Sequence, residues 1–265
     1  MWILRADLGG IRFGRHEHDL QGYPKEGADA EQFKRMVFHD WLPFVYNFWG
    51  LQVLHASAAV HSPSGQVVAF SGASGAGKST FGYGLGRLPQ WRQIADDSLA
   101  FAAQPDSLRL LPIPNEVLLR PASAGYYGEL AAGDELLGWA DGPLRLKRIF
   151  LLEPSEDLDS SARLLPVSPA RAYVLLLQQA YTLALDPQRG HIPLVDSPRD
   201  HRRQMAEYLA LASQAGAVRL LYPRKFGVLS DVFSLIEHDL FRGNSTVRSS
   251  CEQPGGFQRA AVDTR

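Results

Sequence analysis

The nonapeptide Gly72-Ala73-Ser74-Gly75-Ala76-Gly77-Lys78-Ser79-Thr80 is the most informative stretch of this chain for predicting its fold. It fits the P-loop pattern of one glycine, any four residues and then Gly-Lys-Ser. A backbone that wraps around a phosphate turns sharply and points its N–H groups inward, and the three glycines permit such turns. A helix that begins near Lys78 aims its positive end at the same anion. The stretch therefore predicts a phosphate-binding loop that connects a strand to a helix.

The residues around the loop agree with this prediction. The apolar run 67–70 predicts a buried strand that enters the loop, and residues 80–87 predict the helix that leaves it. That helix contains three glycines, so its intrinsic propensity is poor and the motif carries the assignment. We expect the whole nonapeptide to bind ATP, with Lys78 at the β- and γ-phosphates and the Ser79 hydroxyl as a ligand of Mg²⁺. An ordinary glycine turn is the alternative interpretation.

Two adjacent carboxylates, Asp96 and Asp97, follow a short apolar strand 18 residues after Lys78. An enzyme that uses a nucleoside triphosphate needs an acidic group for Mg²⁺, and a kinase needs one near the acceptor hydroxyl. Neighbouring side chains of an extended chain point in opposite directions. We therefore expect one aspartate to face the phosphates and the other to face substrate or scaffold. A solvated turn is the alternative.

His55 is the third candidate. It lies in the extended segment 53–60, which precedes the strand of the loop, and small residues follow it. Small neighbours would let a ligand approach the imidazole. A satisfied structural histidine is the alternative interpretation.

These three segments, LHASAAV, GASGAGKST and ADD, resemble in their order HPr kinase/phosphorylase, the bacterial serine kinase of the phosphotransferase carrier protein. The resemblance is strong over roughly residues 52–101. It implies an α/β fold of the HPr kinase and phosphoenolpyruvate carboxykinase-like type, with a central, mostly buried sheet flanked by helices. It also implies ATP and Mg²⁺ as cofactors and a homo-oligomeric assembly.

The resemblance further implies roles for the candidate residues. His55 would lie near the transferred phosphate, and Asp96 would be the general base toward an acceptor serine. Asp97 would assist with the metal or with orientation. Lys78 and the loop N–H groups would stabilise the charge of the γ-phosphoryl group.

Residues 112–121 supply two weaker candidates. In this proline-flanked segment, Glu116 is predicted to support Mg²⁺ and Arg120 to clamp a phosphate or the transition state. An exposed loop with ordinary charges is the alternative.

The resemblance extends to a wider HPr-kinase-related group found beside peptide-modification gene clusters. Some members of that group phosphorylate a serine on a ribosomally made peptide, and others occur with a small PqqD-like peptide-binding protein. We therefore predict a serine kinase whose acceptor lies on a protein or ribosomal peptide. Two alternatives remain: a kinase of a small molecule such as free serine or a sugar, and a non-catalytic module that senses nucleotides.

The amino-acid composition limits the classes of binding partner and the cellular compartment that we expect for this protein. The 265 residues carry 27 basic and 28 acidic side chains, and this net charge of −1 disfavours nucleic acid or an anionic membrane as partner. Cys251 is the single cysteine, so no internal disulfide forms and a reducing compartment is expected. We found no signal peptide and no apolar stretch of membrane-spanning length, which predicts a cytoplasmic protein.

The chain divides into three predicted parts. Residues 1–50 form an N-terminal strand and helix segment that packs on the core, and residues 51–241 form the ATP-binding catalytic domain. Residues 242–265 lose apolar periodicity and are predicted to be a disordered tail. Within the first part, apolar spacing predicts a helix over 30–49 that Pro43 kinks or restarts.

Overall fold

The computed structural model describes residues 1–14, 19–113, 117, 119–128, 144–158, 161–181, 183–184, 192–193 and 198–241. Glu116 and the tail 242–265, which contains Cys251, lie outside the described residues. The metal role of Glu116 and the disorder of the tail therefore stay predictions. Among the described residues, no helix has the length and apolar character needed to cross a bilayer.

Groups of one to three strands alternate with helices along the described parts of the chain. The strands are β1 Trp2–Arg5, β2 Gly9–Phe13, β3 Leu20–Pro24, β4 Gln52–Leu54, β5 Ala56–His61, β6 Gln66–Ser71, β7 Trp91–Ala95, β8 Leu99–Gln104, β9 Ser107–Pro112, β10 Arg145–Ser155, β11 Arg163–Pro166, β12 Leu183–Ala184, β13 Ile192–Pro193 and β14 Gly216–Pro223. The helices are α1 Ala30–Arg35, α2 Leu42–Phe48, α3 Lys78–Gly86, α4 Pro121–Tyr127, α5 Pro169–Leu177, α6 Pro198–Gln214 and α7 Leu229–Phe241. A π-helix, Met36–Trp41, joins α1 to α2, and a 3-10 turn, Phe226–Val228, precedes α7.

A six-stranded sheet in the order β11-β14-β10-β6-β5-β7 forms the centre of the molecule. Strands β6, β10 and β14 run parallel, whereas β5 is antiparallel to β6 and to β7. Strand β7 therefore runs in the same direction as β6. The predicted α/β architecture, a central mostly buried sheet flanked by helices, is confirmed.

The topology brings the candidate residues to one edge of this sheet. The glycine loop leaves the carboxyl end of β6, the aspartate pair leaves that of β7, and Arg224 follows that of β14. His55 immediately precedes β5, whose amino end lies at the same edge because β5 is antiparallel. Ligands of open α/β sheets bind outside the carboxyl ends of the strands. This edge is therefore the place to look for a site.

Two apolar cores lie on the two faces of the sheet, because alternate residues of a strand point to opposite faces. Val68 and Phe70 of β6 pack in one core, to which α3 and α7 contribute. Val67 and Ala69 pack in the other, to which α5 and α6 contribute. Both faces of β6 are thus covered, which explains why the strand reads as a continuous apolar run.

The N-terminal residues form a third apolar core together with two strands of the later chain. Side chains of β2, the π-helix and α2 pack there against Val53 of β4 and Ala100 of β8. The predicted restart at Pro43 is confirmed, since this proline lies in the first turn of α2. The π-helix before it was not predicted. The boundary at residue 50 stays a prediction.

The single strand predicted over residues 53–60 is wrong. The extended segment is interrupted at His55, which lies between the end of β4 and the beginning of β5. Strand β4 pairs with β8 in a separate three-stranded sheet, whereas β5 belongs to the central sheet. The change of sheet requires a bend, and the bend takes His55 out of both ladders.

The glycines of α3 allow the helix to approach the sheet closely. A Cβ atom on Gly82 would lie 1.8 Å from the Oγ of Ser57 in β5. That hydroxyl donates to the carbonyl of Ala95 and accepts from the side chain of Gln93, so it is fixed in place. The close packing of α3 on the sheet thus requires glycine at Gly82, although glycine lowers the helix propensity of the segment.

We expect Gly82→Ala to lower the free energy of unfolding by about 1–3 kcal/mol, because the added methyl group overpacks a fixed contact. Urea unfolding followed by circular dichroism measures this change. The matched control is Gly125→Ala in α4, where an added Cβ meets nothing within 4 Å. The control should be neutral or stabilising, by up to about 1 kcal/mol. Equal effects of the two changes would contradict the close packing of α3.

Candidate active site

The glycine loop between β6 and α3 has the backbone that its sequence predicts. Gly75 and Gly77 have φ values of 81° and 91°, a region that L side chains rarely adopt. Gly77 directly precedes α3, so the turn delivers the chain to the first residue of the helix, Lys78. The exposed residues 73–75 form the tip of the loop.

Lys78 bends back over this loop. Its ammonium donates to the carbonyl oxygens of Gly72, at 2.9 Å, and Ala73, at 3.3 Å. Burial lowers the pKa of Lys78, while the nearby carboxylates of Asp97 and Asp96 act to raise it. The ammonium thus lies within electrostatic reach of both aspartates.

Contacts from three other residues hold the loop and the start of α3. The hydroxyl of Tyr222, at the end of β14, donates to the carbonyl of Ala76. Thr80 and Ser123 of α4 share a hydrogen bond of 2.7 Å between their hydroxyls. Tyr127 donates to the carbonyl of Thr80. The loop is therefore fastened from the β14 side and from α4.

The structure brings Arg120 to the loop. It lies immediately before α4, and its Nη2 donates to the Ser74 Oγ at 3.3 Å. A Cβ atom on Gly75 would lie 3.1 Å from its Nη1. The exposed guanidinium therefore stands next to the tip of the loop, where a phosphate clamp is useful.

The expectation that the chain is extended at Asp96 and Asp97 is wrong, whereas the directions of the two side chains stay a prediction. The chain is not extended here, because Asp97 has a φ of 64° and the N–H of Ser98 bonds to the carbonyl of Asp96 at 2.8 Å. This is a tight γ-type turn, a strained conformation for a residue other than glycine. As a result, both aspartates line one cleft.

Asp97 is held by two side chains. His55 Nε2 lies 2.8 Å from its Oδ1, and the hydroxyl of Tyr181 donates to its Oδ2 at 2.9 Å. Burial acts to raise the pKa of Asp97, but the hydrogen bond and charge of His55 and the bond from Tyr181 outweigh burial, so the pKa is lowered. Asp97 is therefore a fixed carboxylate that favours the ionised form.

Backbone hydrogen bonds in turn fix the positions of His55 and Tyr181. The N–H of His55 bonds to the carbonyl of Gln179 at 2.8 Å, and the N–H of Tyr181 bonds to that of Val53 at 3.0 Å. The rings of His55 and Tyr181 lie 5.8 Å apart. Burial, followed by the charge of Asp97, raises the pKa of Tyr181, which keeps its hydroxyl protonated as a donor.

A polar cleft of about 440 Å³ lies beside the start of α3. Residues from two parts of the chain line this polar cleft: Ser79, Asp96 and Asp97 beside the loop, and Arg5, Leu8, Gln32, Arg35, Met36, His39 and Asp40 from the N-terminal residues. The cleft thus combines hydroxyl, carboxylate, imidazole and guanidinium groups. Its volume falls within the ~300–1,000 Å³ typical of ligand sites.

The N-terminal wall of the cleft comes from the π-helix. Asp40, on this helix, lies at the surface, where partial desolvation raises its pKa while His39 and Arg5 act to lower it. Asp97 also raises the pKa of Asp40, which places the two carboxyl groups within electrostatic reach of each other. Helices of the π type often occur at functional sites, since they redirect side chains.

The oxygen donors of the polar cleft fit a magnesium ion shared with phosphates. No group of three His, Cys, Asp or Glu side chains that could hold a metal occurs in the described ranges. Magnesium bound to a nucleotide needs only one or two protein ligands and keeps several waters. Ser79 and Asp97 supply a hydroxyl and a carboxylate, which are ligands that this ion prefers.

An apolar pocket of about 260 Å³ lies on another side of the loop. Three segments line this apolar pocket: Gly75, Gly77, Thr80 and Phe81 from the loop and α3, Ala122 and Ser123 from α4, and Tyr222, Arg224, Lys225, Phe226 and Leu229 from the chain around β14 and α7. The loop therefore borders two cavities, and this second one is the more apolar.

Comparisons with known proteins add little to this geometry. No protein-family model and no curated protein sequence matches the chain. Among solved structures, the chain is similar to the HPr(Ser) kinase/phosphatase from Coxiella burnetii, with 12% identity and a TM-score of 0.38 over 73% of this chain and 93% of that one. At this level the similarity by itself decides neither fold nor activity.

The structure gathers most of the predicted residues and adds others. His55, Lys78, Ser79, Asp96, Asp97 and Arg120 all lie at the one sheet edge, around the loop. Sequence reasoning missed Tyr181, His39 and Asp40. No local pattern marks Tyr181, whereas the adjacent polar pair 39–40 inside an apolar-periodic helix was a usable signal.

We expect Tyr181→Phe to raise the pKa of Asp97, because the change removes a hydrogen bond that stabilises the carboxylate. Carboxyl carbon NMR titration measures this directly. A function that needs ionised Asp97 would then be lost at a higher pH as the solution is acidified. Tyr83→Phe, which removes a hydroxyl bonded to Arg87, is the control and should leave the titration of Asp97 in place. An unchanged pKa in Tyr181→Phe would contradict the role assigned to this hydroxyl.

Proposed function

We propose that this protein is an ATP- and Mg²⁺-dependent kinase that transfers the γ-phosphoryl group to a hydroxyl, that of a serine. One observation carries the proposal: the lysine of a glycine loop lies within electrostatic reach of two aspartates, and these aspartates line a polar cleft together with Ser79. The loop suits the binding of a triphosphate, and the carboxylate of Asp96 suits an acceptor hydroxyl.

In the proposed reaction the acceptor oxygen attacks the γ-phosphorus of ATP. A bond forms between these atoms, and the bond from the γ-phosphorus to the β–γ bridging oxygen breaks, so ADP leaves. The proton of the acceptor hydroxyl passes to the carboxylate of Asp96, the general base. Lys78 and the loop N–H groups stabilise the charge on the transferred group. Positioning and electrostatics supply most of the rate gain.

The other residues have supporting roles in this proposal. Ser79 and Asp97, with Glu116 as predicted from the sequence, would hold Mg²⁺, which neutralises phosphate charge when bound. His55 keeps Asp97 in place near the transferred phosphate. Arg120, at the tip of the loop, would clamp a phosphate.

The surface next to the cleft supports a peptide as the acceptor. Trp2 and Leu4 are 51% and 74% exposed, and Tyr23 is 43% exposed. The rings of Trp2 and Tyr23 lie 5.0 Å apart, and the Leu4 side chain covers Gly10 between their strands. Strand β1, which carries Trp2 and Leu4, ends at Arg5, a residue of the polar cleft. An apolar surface that reaches the cleft suits a chain longer than a single amino acid.

Further proposals concern partners. A ribosomal peptide or small protein would present the serine, with a small PqqD-like protein as its carrier, and the kinase would act in the cytoplasm as a homo-oligomer. A small-molecule acceptor such as free serine is the second candidate. The observation that favours it is the limited volume of the cleft, about 440 Å³.

A transfer assay with γ-labelled ATP tests the reaction. We expect label on the serine of a peptide encoded beside the gene, and a loss of at least about 1,000-fold in Lys78→Ala, since phosphate stabilisation is removed. Lys147→Ala, an exposed lysine of β10, is the matched control and should retain full activity. Label on free serine alone would move the function to the second candidate. Unchanged turnover in Lys78→Ala would contradict the phosphate role of the loop.

The same assay tests the base. We expect Asp96→Asn to abolish transfer while ATP affinity, measured by calorimetry, stays nearly unchanged. Asp106→Asn, at an exposed turn between β8 and β9, is the control. A collapse of ATP affinity in Asp96→Asn would instead make Asp96 a metal ligand.

A further inference from the structure

The apolar pocket has no role in the chemistry described so far. Its lining includes Gly75, Gly77 and Thr80, so it is directly adjacent to the phosphate loop. The polar cleft borders the same loop at Ser79. A ligand whose phosphates lie across the loop would therefore have one end near the carboxylates and the other end near the apolar pocket.

The character of this pocket matches a planar aromatic group. Phe226 lines it, and its ring stacks on that of Tyr126 with centroids 4.7 Å apart and an angle of 12° between the planes. A ring already held by another ring loses little freedom when a further planar group binds. A volume of about 260 Å³ lies just below the ~300–1,000 Å³ of complete ligand sites, so it suits a fragment of a ligand.

Two cationic side chains belong to the lining of the apolar pocket. Arg224 lines the pocket and acts to lower the pKa of Tyr222, which burial raises to about 12. The guanidinium is therefore close to the tyrosine whose hydroxyl bonds to the loop carbonyl of Ala76. Lys225 follows Arg224 in the same lining. Two cationic side chains thus accompany the passage from the loop into the apolar pocket.

We propose that the apolar pocket binds the base of the nucleotide, with Phe226 as the stacking residue. The proposal rests on the proposed use of ATP and deepens it. The nucleotide then spans the loop, with its base among Phe226, Phe81 and Leu229 and its γ-phosphate at the edge of the polar cleft. This placement gives each of the two cavities beside the loop a part of the nucleotide to bind.

Inorganic tripolyphosphate has the phosphates of ATP without its base. The difference between its affinity and that of ATP therefore measures what the base contributes to binding. Calorimetric titrations with Mg²⁺ should show ATP binding to the wild-type chain about 5- to 100-fold more tightly than tripolyphosphate, the range that one stacked base provides. We expect Phe226→Ala to weaken ATP about 10-fold and to change tripolyphosphate by less than twofold. Lys78→Ala should weaken both ligands.

Two further variants keep the test interpretable. Phe241→Ala removes a half-buried phenyl ring that packs on His61, outside both cavities, and should change neither affinity. If Phe226→Ala does not fold, Phe226→Leu keeps an apolar side chain and should still weaken ATP alone. Unchanged ATP affinity, or equal weakening of ATP and tripolyphosphate, would overturn the pocket assignment while leaving the kinase proposal intact. Failure of the wild-type chain to bind either ligand would overturn both.

Discussion

The burial of Lys78 beside two carboxylates is the interaction on which the candidate site depends. An ammonium taken out of water is costly unless partners surround it. Here two loop carbonyls accept from it, and Asp96 and Asp97 act to keep it charged. This arrangement requires the loop after β6 and the turn after β7 to end at the same sheet edge. The parallel direction of these two strands meets that requirement.

The N-terminal residues form the part of the polar cleft that the sheet does not supply. The edge of the sheet supplies Ser79, Asp96 and Asp97, whereas the π-helix supplies His39 and Asp40 to the same polar cleft. One apolar core holds the π-helix against β4 and β8. The N-terminal segment is therefore a wall of the site as well as a covering layer.

The sequence predicted what local chemistry determines. The glycine loop, the strand before it and the aspartate pair could be recognised because each depends on a short, continuous stretch of sequence. The backbone conformation of Asp97 could not be recognised in this way. Its φ of 64° belongs to the turn into β8, whereas the sequence predicts an extended chain. Tyr181 and Phe226 were equally hidden, since tertiary packing brings them to the loop from distant segments. The break at His55 depended on a change of sheet, which residue patterns do not encode.

The two cavities beside the loop predict that a bound nucleotide extends from the apolar pocket, along the loop, to the polar cleft. A crystal structure of the chain with Mg²⁺ and a non-hydrolysable ATP analogue tests it most directly. We predict the base against Phe226, the phosphates along residues 72–80 with the γ-phosphate at Lys78, and the terminal oxygens facing Asp96 and Asp97. A nucleotide bound elsewhere, or one that crosses the loop in the opposite direction, would contradict the account.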